Sequence, residues 1–297
     1  MPGNVFYFEW ELNLIKALQA HFGSFGVLVS QFLSLLGQEY PLVAIVVILY
    51  FSANKDLGKR ICFNLMSGLL WVPMVKNIAF RIRPYFAHDD VKILLAPYPS
   101  EDTWDMMAQG YSFPSAHSTC SVAAYPSLGK ALGKKWTKII GIIIPVLVGI
   151  SRFCVGAHYP TDVLAGWGIG VFILILMPIL YEKIKNEDLV RFIILATGIP
   201  GFFYCQSEDF FTGFGLMLGA CFGFMFERKY VNFKSTNKVV RVIVRSVIGL
   251  GIFLAFAQGI KFILGEGNYV RVFRYAVGTF MTVGLYPLLF KKFEKEN

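Results

Sequence analysis

Ser151-Arg152-Phe153-Cys154-Val155-Gly156-Ala157-His158-Tyr159-Pro160-Thr161-Asp162 sets an arginine, a histidine and an aspartate between two long apolar runs. Ionisable side chains in that setting are costly and by default mark a working site. Pro160, with a fixed φ and no N–H, suits the first turn of a helix predicted over about 161 to 181. His158 then stands just ahead of a helix N-terminus, where free amides and the macrodipole favour an anion. Asp162, in the first turn, can reach back and accept from His158 Nδ1, fixing the tautomer that leaves Nε2 free to attack. Arg152 offers a planar fork suited to phosphate oxygens. The stretch reads as a reactive histidine with an orienting carboxylate and an anion clamp.

Composition supplies the setting. Of 297 residues, 56% are hydrophobic and 16% charged, with a mean hydropathy of +0.57, which implies an integral membrane protein. The net charge of +9 would suggest nucleic acid in a soluble chain. Here the apolar runs make sidedness across a membrane the better account, and no nucleic-acid partner is expected. Cys62, Cys120, Cys154, Cys205 and Cys221 have neither paired nor metal-type spacing and read as small buried residues.

Taken in order, residues 4 to 22 carry Val5, Phe8, Leu12, Ile15, Leu18 and Phe22 at helical spacing, which predicts an interfacial amphipathic helix. Apolar spans follow near 35–51, 61–80, 115–132, 139–152, 161–181, 189–204, 210–226, 240–263 and 271–290. The fold class is thus all-α, a polytopic transmembrane helical bundle of about nine spans plus the N-terminal segment. Its expected divisions are 1–34 (interfacial), 35–185 (core bundle) and 186–297 (a four-helix membrane extension of unassigned role). The polar stretch 81–113, with Asp89, Asp90, Glu101, Asp102 and Asp105, is long enough to imply a functional loop. If the spans alternate, the turns at 54–60, 130–138, 182–191 and 227–245 and the tail after 290 share one side, with 19 of the 28 Lys and Arg. That side is expected to be cytoplasmic, which puts His158 and the long loop on the outer or lumenal face.

Two further polar clusters fall on that face. In Lys76-Asn77-Ile78-Ala79-Phe80-Arg81-Ile82-Arg83-Pro84, seven residues, or two helical turns, separate Lys76 from Arg83, so both are expected on one side of a helix end that Pro84 stops. Alone, the cluster reads equally as snorkelling charge at the membrane edge. Arg81, two residues from Arg83, is expected to point elsewhere as an interfacial anchor. In Tyr111-Ser112-Phe113-Pro114-Ser115-Ala116-His117-Ser118, Pro114 marks a helix start. The amides of Ser115, Ala116 and His117, with the Ser115 hydroxyl, would form an anion cradle. His117 can protonate a leaving oxygen, although a lone histidine there is more often structural. A single phosphate would satisfy all three clusters together.

Lys76-x6-Arg83-Pro84, Pro114-Ser115-Ala116-His117 and Ser151-Arg152-x5-His158-x3-Asp162 resemble, in order and in spacing, the three signature motifs of the type-2 phosphatidic acid phosphatase superfamily. The likeness covers about residues 60 to 182. It implies that His158 is a nucleophile forming a phosphohistidine, that Asp162 orients it, and that His117 is the general acid and then the base for water. Lys76, Arg83, Arg152, the Ser115 hydroxyl and amides around Ala116 would hold the phosphoryl oxygens. Ala116 departs from the glycine frequent at that position and adds only a methyl group. Ser151 matches the family's serine, in a softer role. Three cations and oriented amides can stabilise phosphoryl transfer without a metal, so neither metal nor cofactor is expected. Asp89-Asp90 reads as a solvated acidic pair.

A site at a membrane surface favours a lipid phosphate or lipid diphosphate, such as a polyprenyl or sphingoid phosphate, that arrives laterally from the bilayer. A phosphotransferase would use the same His158 with a sugar or lipid acceptor in place of water. A transporter or lipid-binding protein would extend intramembrane charge into 186–297, where none is visible, and Glu208 and Asp209 have no evident partner. A bacterial cytoplasmic membrane with an outward-facing site is expected, an organelle membrane with a lumenal site being the alternative.

Overall fold

The computed structural model describes residues 3–52, 54–94 and 110–293, and among these every regular element is a helix. Glu101, Asp102 and Asp105 lie outside the described residues. The chain forms two compact units, Met1–Leu42 with Trp71–Leu176, and Val43–Leu70 with Met177–Asn297. This division differs from the expected boundaries at 34/35 and 185/186.

In the first unit the predicted helix starts are present. Ser115 caps the helix Ala116–Ala131, and Pro160 opens the helix Pro160–Ile184. A turn through Gly133 (φ +76) returns the chain from Ala116–Ala131 into the helix Lys135–Cys154. The helices Ala116–Ala131 and Pro160–Ile184 run parallel in near contact. Ser115 N–H donates to Asp162 O (3.0 Å) and Thr119 Oγ1 to Gly166 O (2.9 Å). A Cβ at Gly166 would stand 2.5 Å from Ser115 O, so only glycine allows this approach. The two N-termini therefore lie side by side.

The N-terminal segment belongs to this unit. Residues 3–8 are not helical, and Asn4 makes an isolated parallel bridge with Arg81. The helix Glu9–His21 then packs Leu12 and Ile15 against Tyr85, Val91 and Tyr159. Phe8 and Trp10 stay exposed while Glu11 is fully buried, so the face turned to the protein is not purely apolar.

The expected helix end carrying Lys76 and Arg83 on one side is corrected. The helix Lys55–Ala79 stops at Ala79, Phe80 takes a left-handed conformation (φ +53), and Arg83 is the N-cap of a separate short helix, Pro84–Ala87. Lys76 and Arg83 sit on different local structures, and helical spacing does not relate them.

In the second unit the helix Glu208–Phe226 packs on Asn268–Phe280 through Gly215 and Gly219. At Gly219 a Cβ would come 2.3 Å from Ala276 O. This is the small-residue packing that membrane helices use in place of a hydrophobic drive. The unit also buries charge that the sequence had not suggested: Glu227, fully buried, accepts from Lys55 Nζ (2.9 Å) and Lys59 Nζ (3.0 Å). Glu208 has a partner after all, in Arg271.

Among the described residues, six helices are long and apolar enough to cross a bilayer, or seven if Ser24–Leu36 with Pro41–Phe51 is one bent span, in place of the expected nine. The helix Ala116–Ala131, of 16 residues, rises about 24 Å against a hydrocarbon core of about 30 Å. The expected span 189–204 is a ten-residue helix, Glu187–Ala196, followed by a 3₁₀ turn, Ile199–Phe203. This composite still runs the length of its neighbour. Asp188 pairs with Arg228 just past one end of Glu208–Phe226, and Phe202 packs on Phe210 and Phe214 near the other. The protein is thus a multi-pass integral membrane helical bundle.

Candidate active site

The site is assembled by loops that the helix ends hold. His158 lies between Lys135–Cys154 and Pro160–Ile184, and its N–H donates to Arg152 O (3.2 Å). Gly156, two residues earlier, has φ +76, and a Cβ there would stand 2.4 Å from Lys92 O, so the turn that presents His158 requires glycine. Gln19 ties this turn to the long loop, donating to Lys92 O (2.8 Å) and Cys154 O (3.2 Å).

His158 is 2% exposed. Burial, and then Arg83, Arg152, Lys76 and His117 nearby, hold its imidazole well below the usual range, so it is neutral at physiological pH. Arg83 Nη1 stands 3.3 Å from Nε2. A guanidinium only donates, so Nε2 accepts and the ring proton sits on Nδ1. Nδ1 faces Asp162 Oδ2 at 3.4 Å but has no hydrogen-bond partner among the described residues. The hydrogen bond expected from Nδ1 to Asp162 is therefore not formed, and the tautomer follows from Arg83 instead. The lone pair of Nε2 points at the Arg83 guanidinium.

Around the imidazole, Arg83 is fixed by Gly110 O (2.9 Å, from Nε) and Ala157 O (3.1 Å, from Nη1). Arg152, 3% exposed, bonds Ser34 Oγ through Nη1, while its Nε is buried without a partner among the described residues. Lys76, Arg83 and Arg152 lie within electrostatic reach of both His117 and His158. Three buried cations thus stand beside two imidazoles, a local charge that favours an anion. Ser115 Oγ accepts from Ser118 Oγ (2.9 Å), which leaves the Ser115 hydroxyl proton for another acceptor.

Two amide expectations change. Ser115 N–H is spent on Asp162 O, so the cradle reduces to the amides of Ala116 and His117, which have no intrahelical acceptor in a first turn. The N-terminus of Pro160–Ile184 does bind an anion, but an internal one. Glu11 Oε1 accepts from Thr161 N–H (2.9 Å) and from Thr161 Oγ1 (2.6 Å).

The largest departure is Arg81. It is no interfacial anchor: it is 1% exposed, and its guanidinium donates to Asp162 Oδ1 (2.6 Å), Glu11 Oε2 (2.9 Å), Thr161 Oγ1 (2.7 Å) and Phe6 O (2.8 Å). Asp162 Oδ2 accepts from Tyr159 N–H (2.8 Å). The carboxylate behind His158 is therefore held by Arg81 and a backbone amide. The sequence signal for Arg81 is the extra arginine two residues ahead of Arg83, which a helix continuing past Ala79 would turn away from the site.

Comparison with known proteins places the chain. Residues 58–185 match the PAP2 superfamily, and residues 211–297 match the PAP2 superfamily phosphatase, transmembrane extension. The undecaprenyl-diphosphatase of Sulfolobus acidocaldarius is 33% identical over 144 residues, covering 48% of this chain and 64% of that one. Phosphatidylglycerophosphatase B of Bacillus subtilis is 40% identical over 85 residues, covering 26% and 42%. The chain thus spans less than two thirds of the length of either relative. Among solved structures, a transmembrane PAP2-type phosphatidylglycerolphosphate phosphatase from Bacillus subtilis aligns with a TM-score of 0.48 at 27% identity, over 60% of this chain and 87% of that one. The first match contains all three motifs and the second covers most of the remaining membrane helices; the chain belongs to the PAP2 superfamily.

Proposed function

We propose that the chain hydrolyses a phosphate ester or diphosphate carried on a membrane lipid, through a phosphohistidine on His158. The observation that carries this reading is the buried, neutral His158 with Arg83 Nη1 at 3.3 Å from Nε2 and a carboxylate behind Nδ1. Nε2 attacks phosphorus and the bond to the leaving oxygen breaks. His117 gives that oxygen a proton, then takes one from the water that cleaves the N–P bond and releases inorganic phosphate. Arg83, Arg152, Lys76, the Ser115 hydroxyl and the amides of Ala116 and His117 carry the charge on the phosphoryl oxygens. Asp162 balances the charge that appears on the imidazole. The relatives are named for an undecaprenyl diphosphate and a phosphatidylglycerophosphate, which supports the lipid substrate class.

The basic turn Lys130, Lys134 and Lys135 joins the ends of Ala116–Ala131 and Lys135–Cys154 that lie opposite His117 and Arg152. With that turn cytoplasmic, the site faces outward, from the cytoplasmic membrane of a bacterium.

The test is phosphate release by the purified protein from a panel of lipid phosphates and diphosphates. Wild type is expected to turn over in the presence of EDTA, with His158→Ala lower by at least about a thousandfold. Equal release by the two removes the nucleophile assignment, and loss with EDTA that Mg2+ restores removes the metal-free mechanism.

A further inference from the structure

Glu11, Arg81 and Asp162 form a buried line of charge that starts on the N-terminal helix and ends behind His158. Both carboxylates are fully buried, and Arg81 is the cation bonded to each. Among the described residues Arg81 bonds no other carboxylate: its Nη1 is on Asp162 Oδ1, its Nη2 is on Glu11 Oε2, and the Phe6 and Tyr159 rings lie at 4.8 and 4.0 Å from the guanidinium carbon.

We propose that Arg81 and Glu11 are positioning residues of the reaction proposed above. Arg81 keeps Asp162 an oriented carboxylate behind His158, and Glu11 sets how much of the Arg81 charge Asp162 receives. The proposal rests on the phosphohistidine reading, because it acts through Asp162 and His158. It also makes the segment before residue 22 part of the catalytic apparatus.

The groups facing Asp162 are Arg81, the Tyr159 amide and phenol, Thr161, the Ser112 hydroxyl, the Ser115 amide and His158, with Glu11 beyond Arg81. Around His158 stand Arg83, Arg152, Lys76 and His117. Within this set, Arg81→Gln removes the only cation bonded to either carboxylate among the described residues. The potential at Asp162 and His158 becomes more negative, so both hold their protons more tightly. Turnover needs Asp162 ionised and His158 neutral, and the acid limb of the rate profile moves to higher pH. Glu11→Gln removes a negative charge from the same line, keeps an oxygen for Thr161, and moves that limb the other way. A residue that only held the N-terminal helix in place would not produce opposite displacements.

The experiment measures kcat and KM from pH 4.5 to 9 on the full-length protein in detergent, with a short-chain diacyl phosphatidate as substrate. Arg81→Gln is expected to raise the acid limb by about one pH unit or more and to lower kcat at pH 7 about tenfold or more, with KM within about threefold. Glu11→Gln is expected to lower the limb by several tenths of a unit. Arg81→Lys, which keeps the charge and loses the fork, is expected to leave the limb within about 0.3 unit of wild type while losing part of kcat. If Arg81→Gln does not yield folded protein, the Glu11→Gln and Arg81→Lys displacements decide. An acid limb unmoved in Glu11→Gln, or moved the same way in both Gln variants, overturns the proposal and leaves the phosphohistidine reading intact. Wild-type turnover by His158→Ala overturns both.

Discussion

At the scale of single residues, the chemistry depends on which groups are charged when buried. His158 is kept neutral by burial and by four surrounding basic groups, so the lone pair that the proposed mechanism uses persists below the pH at which a solvated imidazole protonates. Glu11 shows the opposite balance. Burial alone would push its carboxyl up, but the Phe8 amide, the Thr161 hydroxyl and amide, and then Arg81, hold it below its ordinary 4.5. The unfolded state therefore takes up a proton before the folded state does. The Glu11 contribution to stability is complete above about pH 4.5 and is lost as pH falls toward the folded value. Thermal unfolding followed between pH 6 and 3.5 is expected to show wild type losing Tm faster than Glu11→Gln over that window. Parallel curves would contradict the assignment.

At the scale of elements, much of the site was legible and some was not. Pro160 and Pro114 announced their helix starts, at Pro160 itself and two residues ahead of Ala116, because a proline ring restrains the backbone locally. Arg81 was hidden because its position was inferred from a helix assumed to run past Ala79, whereas Phe80 at φ +53 breaks the periodicity. Glu11 was hidden because a carboxylate on an amphipathic helix ordinarily faces water, and the partners that turn it inward, Arg81 and Thr161, are distant in sequence. Gly156 gives the clearest test at this scale. Gly156→Ala must strain a φ of +76 and meet Lys92 O, so it is expected to cost about 1–3 kcal/mol and to displace His158, lowering kcat. Gly168→Ala, where a Cβ meets nothing within 4 Å, is the control and is expected to leave both unchanged or slightly improved. Equal effects at the two glycines, measured by Tm and turnover, would contradict the role given to the turn.

At the scale of the whole molecule, class and membrane insertion were readable from composition, and the motif order was enough for the family. The number of spans was not, since hydropathy counts apolar residues and does not reveal that 187–203 is a short helix joined to a 3₁₀ turn. The proposed sidedness rests on the basic turns. Asp89 and Lys134 are both exposed, and all five native cysteines are buried, which suits impermeant thiol labelling of intact cells. Asp89→Cys is expected to react and Lys134→Cys to react only after lysis. The reverse pattern would turn the site to the cytoplasm.

The most direct measurement is a rapid-quench reaction of the purified protein with a lipid carrying radiolabelled phosphate, followed by peptide mapping. An acid-labile, alkali-stable label on the peptide containing His158, absent from His158→Ala and accumulating in His117→Ala, is the predicted result. A label on another residue, or turnover in His158→Ala at the wild-type rate, would contradict the account.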